Sequence, residues 1–116
     1  MGAKQSIRRE EIQEKLERGD KFILVEALPP MYYEDMHLPG AINLPLERLE
    51  ATASALLPDL SAEIVTYCSN LACPNSEIAA AKLRHLGYTN VKEYREGKQD
   101  WFEAGLPVER SAAEKA

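Results

Sequence analysis

The sequence has 116 residues and a net charge of −5, and it carries two cysteines. A chain of this length fits one domain, so we expect a single domain over residues 1–116 with an ordered core at about 6–109. No apolar run approaches the roughly 18 residues that a membrane span needs, and the acidic balance argues against the basic patch of a nucleic-acid binder.

The N-terminus is charged and polar, so we expect no secretory signal. Two cysteines five residues apart are not the disulfide framework of a small secreted domain. We therefore expect a reducing, cytoplasmic environment, in which the cysteines are either reactive or simply buried.

Apolar periodicity and turn residues divide the chain into alternating helices and strands. The predicted elements are, in chain order, a helix at 8–18, a strand at 22–25, a helical turn at 31–36, a strand at 42–44, a helix at 46–57, a strand at 63–67, a helix at 75–86, a strand at 91–94 and a short helix at 100–104. A loose start at 1–5 and a frayed tail at 111–116 flank them. This alternation predicts an α/β fold with a mostly parallel sheet covered on both faces.

The helix predicted at 75–86 has the clearest pattern. Pro74 suits its first position, and Gly87 suits its C-terminal cap. The residues expected to share its inward face are Ile78, Ala79, Leu83 and Leu86.

Both cysteines lie in the loop between the strand at 63–67 and this helix. Ligands of parallel sheets bind at the carboxyl ends of strands, and a helix N-terminus offers free N–H groups and a positive dipole end. We therefore predict that Cys68 has a lowered pKa and reacts as a preformed thiolate, without a general base. The alternative is that Cys68 is a small buried hydrophobic residue. The predicted anion-binding loop consists of Ser69, Asn70, Leu71, Ala72, Pro74, Asn75 and Ser76.

Cys73 offers a second thiol five residues after Cys68. It can resolve a Cys68 persulfide by forming a disulfide, take the sulfur over as a relay, or only pack. With His37 and His85 far away in sequence, the two cysteines do not have zinc-ligand spacing, so we predict no metal. The loop contains no glycine and no arginine, which weakens phosphate-binding and cysteine phosphatase interpretations. No cofactor signature is present.

Two further side chains have structural explanations that we favour over functional ones. His37 is expected to fix the turn before Pro39 through hydrogen bonds rather than to act as a base. Trp101 is expected in the core.

Several segments occur in the order that is typical of one family. They are the strand 22–26 with its acidic end, His-Leu-Pro-Gly-Ala-Ile-Asn-Leu-Pro at 37–45, the strand 64–68 ending in Cys68, Ala-Ala at 79–80, Leu-Gly-Tyr-Thr-Asn-Val at 86–91, Gly97, Trp101 and Ala-Gly-Leu-Pro-Val at 104–108. Over nearly all of its length, the chain resembles the rhodanese-like sulfurtransferase family.

The resemblance implies a rhodanese-like α/β fold with a central, mostly parallel sheet of about five strands and helices on both faces. It implies an enzyme in which Cys68 takes a sulfane sulfur from thiosulfate or a persulfide and passes it to a thiol or cyanide. The implied partners are a small sulfur donor and a thiol acceptor, with no nucleic acid and no membrane.

The chain departs from the family pattern at two places. Family members often carry an arginine two residues after the acidic end of the first core strand, whereas residues 26–28 are Glu-Ala-Leu. Cys73 stands where the active loop often has an arginine. Lys98 or Arg95 can supply the missing charge, or both can be solvated surface residues. Two other functions stay open, a non-catalytic binding or sensing module and a dithiol redox protein that uses Cys68 and Cys73.

Overall fold

A parallel sheet forms the centre of the molecule. The computed structural model describes residues 5–110, so the predicted tail and nearly all of the loose start lie outside the described residues. The strands are β1 (Ile23–Glu26), β2 (Ile42–Asn43), β3 (Ile64–Tyr67) and β4 (Val91–Tyr94). Their order is β2–β1–β3–β4, and every pairing is parallel.

The predicted α/β fold is confirmed, with a sheet of four strands in residues 5–110 where about five were expected. Beside β4, Ser6 makes a single parallel bridge with Glu93. One bridge is too short to count as a further strand, which accounts for the difference.

Helices cover both faces of this sheet. They are α1 (Arg9–Arg18), α2 (Pro30–Asp35), α3 (Leu46–Leu56), α4 (Asn75–His85) and α5 (Gly97–Glu103). One apolar cluster joins α3 and α4 to the sheet through Leu49, Leu83, Val25 and Ile64. The opposite cluster joins α1 and α5 to the sheet through Ile12, Trp101, Leu24 and Val65. Because side chains alternate along a strand, neighbouring residues serve opposite clusters.

β3 lies between β1 and β4, and all four of its residues are buried. Burial on both faces explains its continuous apolar and β-branched run. Glu26 is opposite Tyr67, and Tyr67 is opposite Tyr94, so three strands end at the same level. The loops that begin after these residues therefore meet at one edge of the sheet, and Cys68 begins the central loop.

The inward face of α4 was only partly predicted. Ile78 and Leu86 are 38% and 39% exposed, so their assignment to the core was wrong. The buried residues of the helix are Ser76, Ala79, Ala80 and Leu83. These positions follow the i, i+3, i+4, i+7 pattern, and three of them are small, which lets the helix lie close to β3. Pro74 precedes the helix instead of occupying its first position.

The last helix, α5, begins at Gly97, three residues before its predicted start. Its first amides after Gly97 bond to carbonyl groups of the loop that follows β3. This contact links residues that are distant in sequence, so local periodicity could not reveal it.

None of the helices in residues 5–110 combines the length and the apolar character that crossing a bilayer requires. The same residues hold no group of three or more His, Cys, Asp or Glu side chains that could bind a metal ion.

Candidate active site

Cys68 lies directly after β3 and is fully buried. Its thiol donates a hydrogen bond to the carbonyl oxygen of Cys73, with 3.2 Å between Sγ and O. The backbone N–H and the hydroxyl of Ser76, in the first turn of α4, hydrogen bond to the same sulfur. The Cys68 sulfur is therefore buried and has polar groups of the active loop and of α4 beside it.

These contacts have opposite effects on the acidity of Cys68. Burial has the largest effect and, together with the neighbouring Cys73 thiol, raises the pKa of Cys68 to about 11. The two hydrogen bonds from Ser76 lower the pKa but do not outweigh burial. The prediction of a preformed thiolate with a lowered pKa was therefore wrong for the free thiol. Burial destabilises the thiolate more than the hydrogen bonds from Ser76, in the first turn of α4, stabilise it.

A turn centred on Asn70 shapes the active loop, residues 68–76. The Cys73 N–H donates to the Asn70 carbonyl over 3.1 Å, and the Ala72 N–H donates to the Asn70 side-chain oxygen over 3.0 Å. Leu71, at the tip of this turn, is 70% exposed. The amides of Ala72 and Cys73 are thus used within the turn, whereas the Ser76 amide is the one that reaches the Cys68 sulfur.

The far end of the active loop is anchored to the sheet. The Asn75 side-chain amide donates to the carbonyl of Ala27 over 2.8 Å. The Thr66 hydroxyl donates to the Ser76 carbonyl over 2.9 Å. Asn75 therefore fixes the start of α4 against β1, and its side-chain amide is engaged there rather than with a ligand.

The start of α5 supports the loop from the other side. The Lys98 N–H donates to the Cys68 carbonyl and the Gln99 N–H to the Ser69 carbonyl, each over 2.8 Å. Gly97 has φ +75°, and a Cβ atom there would lie 2.6 Å from the Cys68 carbonyl oxygen. Reasoning from sequence missed this support. One feature of the sequence could have indicated it. Gly97 follows β4 by three residues, and β4 neighbours β3 and ends at the same edge of the sheet as Cys68.

The side chain of Lys98 is buried, which contradicts the prediction of a solvated surface residue. Its ammonium lies 2.8 Å from a Glu26 carboxylate oxygen, and it donates to the carbonyls of Tyr32 and Met36 at 3.0 and 2.6 Å. The Tyr67 hydroxyl donates to the other Glu26 oxygen over 2.7 Å. Lys98 thus pairs with Glu26, and it is neither a solvated surface residue nor a free cation.

Burial raises the pKa of the Glu26 carboxyl, although Lys98 and Tyr67 both act to lower it. The Tyr67 hydroxyl in turn accepts a hydrogen bond from the backbone N–H of Leu38 over 3.1 Å. The network therefore ties the ends of β1 and β3 to the segment after α2.

Arg95, the other candidate cation, is exposed and lies 3.8 Å from Glu93. It lines a cavity of about 120 Å³ that also includes Cys73, Ser76 and Glu77. A cavity of about 240 Å³ lies on the other side of the active loop. Its lining includes Tyr32, Met36, Ser69, Asn70 and Phe102.

The two structural interpretations made from the sequence are confirmed. His37 is buried, its ring Nδ1 lies 2.7 Å from the Tyr33 carbonyl oxygen, and its ring stacks on Tyr33. Trp101 is buried in the core, and its indole N–H donates to the Pro107 carbonyl over 2.8 Å.

Comparison with known proteins identifies the family. The model of the rhodanese-like domain matches residues 8–104. The chain belongs to the rhodanese-like family. The crystal structure of the BH2092 protein from Bacillus halodurans superposes with a TM-score of 0.85 at 27% identity, covering 92% of this chain and 77% of that one.

Two curated relatives of this rhodanese-like chain have different descriptions. The HTH-type transcriptional regulator Rv0324 of Mycobacterium tuberculosis is 35% identical over 92% of this chain and 46% of its own length. The thiosulfate sulfurtransferase PspE of Escherichia coli is 31% identical over 59% of this chain and 64% of its own length. The chain thus spans less than two thirds of either relative.

Replacing Lys98 with Met should lower the free energy of unfolding by about 3–5 kcal/mol, because the buried Glu26 carboxylate loses its partner. Urea unfolding measures the change. Lys82→Met is the control, since its pair with Glu50 is exposed and contributes about 0–1 kcal/mol. The double variant Glu26→Gln/Lys98→Met should recover part of the loss. Equal stability of the two lysine variants would contradict the assignment.

Replacing Gly97 with Ala should destabilise the protein more than replacing Gly19 with Ala. Both glycines have nearly the same positive φ, so both variants bear a similar backbone cost of roughly 1–2 kcal/mol. A Cβ atom at Gly19 meets nothing within 4 Å, whereas at Gly97 it meets the Cys68 carbonyl. Thermal unfolding and the alkylation rate of Cys68 are measured. Matching values for both variants would mean that Gly97 does not support the loop.

The alkylation rate of Cys68 by iodoacetamide should rise with pH well past neutrality, because only the thiolate reacts and its pKa is about 11. Cys73→Ala removes a contact that raises this pKa, so Cys68 should react faster at pH 8. Ser76→Ala removes a contact that lowers it, so Cys68 should react more slowly. Peptide mapping separates the two cysteines. A wild-type midpoint near 7 would contradict this prediction.

Proposed function

We propose that the chain is a sulfurtransferase in which Cys68 carries the sulfur as a persulfide. The observation that best supports this proposal is the setting of the Cys68 sulfur, which lies at the end of the central strand and accepts two hydrogen bonds from Ser76. The same donors that favour a thiolate favour the anion of a persulfide on that sulfur. The family includes thiosulfate sulfurtransferases such as PspE, which agrees with this chemistry.

In the first step, the Cys68 thiolate attacks the outer sulfur of a donor. A bond forms between the two sulfurs, and the donor leaves as a thiolate or, for thiosulfate, as sulfite. In the second step, a thiol or cyanide attacks the outer sulfur of the Cys68 persulfide, and the Cys68 thiolate leaves. No net oxidation is required, because the sulfane sulfur is only passed on.

We further propose that a persulfide is a better donor than thiosulfate. Residues 68–76 contain no lysine or arginine. The Lys98 ammonium is held by Glu26 and two carbonyl groups, and the Arg95 side chain lies beside Glu93 and Glu77. A dianion such as thiosulfate would therefore find little positive charge at the active loop, whereas a neutral or singly charged persulfide needs less.

We also propose that the protein works in a reducing compartment such as the cytoplasm. Both cysteines are free. Thiol chemistry of this kind persists where the surroundings keep cysteines reduced.

A sensing module is the second candidate function. The observation that favours it is the Cys68 thiol itself, which is fully buried and hydrogen bonded as a donor to a carbonyl group. A relative described as a transcriptional regulator is compatible with such a role. A sensor would bind a ligand or partner without turning over sulfur.

Intact-mass spectrometry after incubation with cysteamine persulfide, whose ammonium balances the charge of its persulfide group, or with thiosulfate tests the proposal. We expect the mass of one sulfur to be added in the Cys73→Ser variant and none in Cys68→Ser. We expect kcat/KM to be at least about tenfold higher with the persulfide, since the active loop lacks a cation for thiosulfate. If no donor adds sulfur at Cys68, the sulfurtransferase proposal fails and the result supports the sensing module. If thiosulfate is the better donor, the charge argument fails.

A further inference from the structure

The active loop brings the two cysteines of the chain together. The turn on Asn70 folds the chain back, so that the Cys73 carbonyl lies 3.2 Å from the Cys68 sulfur. The Cys73 side chain also interacts directly with the Cys68 thiol. No other cysteine exists in the chain, so these two form its entire thiol chemistry.

The two thiols differ in their access to solvent. Cys68 is fully buried, whereas Cys73 is partly exposed and lines the cavity of about 120 Å³ beside Ser76 and Arg95. In a Cys68 persulfide, the outer sulfur is the atom that an external acceptor can reach. The inner sulfur is the Sγ atom, and the outer sulfur occupies the side from which the donor delivered it. A nucleophile that attacks Sγ in line, opposite the leaving outer sulfur, must therefore come from within the loop. Cys73 is the thiol in that position.

We propose that Cys73 is a resolving thiol that attacks the inner sulfur of the Cys68 persulfide, releases sulfide and forms a Cys68–Cys73 disulfide. This inference rests on the proposed function, because it needs sulfur to be loaded on Cys68 first. It adds an activity, the reduction of a sulfane sulfur to sulfide, that differs from transfer to an external thiol.

Atoms and electrons balance in this step. The bond between Cys73 Sγ and Cys68 Sγ forms, and the bond from Cys68 Sγ to the outer sulfur breaks. The electron pair leaves with the outer sulfur, which takes up the proton of the Cys73 thiol and departs as hydrogen sulfide. The two cysteine sulfurs are oxidised, and the sulfane sulfur is reduced.

A second cycle requires an external dithiol, the class of reductant that reopens protein disulfides by exchange. The partly exposed Cys73 sulfur is the atom of the disulfide that such a reductant can attack. Cys68 would then leave as the thiolate, beside the Ser76 donors, ready for the next sulfur. The position of the two thiols thus fits both halves of the cycle.

The test uses the full chain, reduced and then loaded with one equivalent of glutathione persulfide. Intact mass and released sulfide are followed over time. In the wild type, the added sulfur should disappear, the protein should lose two hydrogens, and one equivalent of sulfide should appear. In Cys73→Ser, the added sulfur should persist on Cys68, with sulfide release slowed at least about tenfold, because an intramolecular attack is lost.

A moved thiol provides the matched control. Leu71 is 70% exposed at the tip of the same loop, so Leu71→Cys/Cys73→Ser keeps two thiols but places the second away from the Cys68 sulfur. This variant should also retain the added sulfur. Circular dichroism confirms that each variant is folded. After dithiothreitol has reduced the wild-type disulfide and has been removed, a second equivalent of glutathione persulfide should again give one equivalent of sulfide.

The outcomes separate the two proposals. Stable sulfur on Cys68 in the wild type, without a disulfide, overturns the resolving role and leaves the sulfurtransferase in place. Equal sulfide release from Cys73→Ser also overturns it. Failure of both the wild type and Cys73→Ser to take up sulfur overturns the sulfurtransferase, and the resolving role with it.

Discussion

The ion pair between Glu26 and Lys98 is the interaction on which the site depends most. Its two charges are buried, so each is tolerable only while the other is present. Glu26 ends β1, Tyr67 ends β3, and Lys98 belongs to α5, so one polar cluster fixes three elements at the edge where Cys68 lies. The same ammonium also satisfies two carbonyls of the segment around α2, which borders the neighbouring cavity.

Tertiary structure, rather than local sequence, also sets the reactivity of Cys68. A cysteine before a helix N-terminus suggests a lowered pKa, and Ser76 does act in that direction. Full burial and the adjacent Cys73 thiol act more strongly in the other direction. The Cys68 side chain is therefore protonated near neutral pH.

The sequence was sufficient for most of the fold, because strands buried on both faces have continuous apolar runs and β4 was located to the residue. It was sufficient for the position of Cys68, because the apolar and β-branched run at residues 64–67 predicts a buried strand that ends directly before this cysteine. It failed for Ile78, since the small residues on the other side of α4 make the closer packing surface. It also failed for Lys98, because a lysine is expected at the surface unless its buried partner is known.

The loop around Cys68 is held by carbonyl groups as much as by side chains. Its first two carbonyls accept the amides of Lys98 and Gln99, and the close approach of Gly97 leaves no room between them. Two hydrogen bonds therefore join residues that are separated by about thirty positions in the sequence. Grafting residues 68–76 onto another parallel sheet would transfer the cysteines without their geometry. The geometry of the two cysteines thus depends on the active loop together with the first turn of α5.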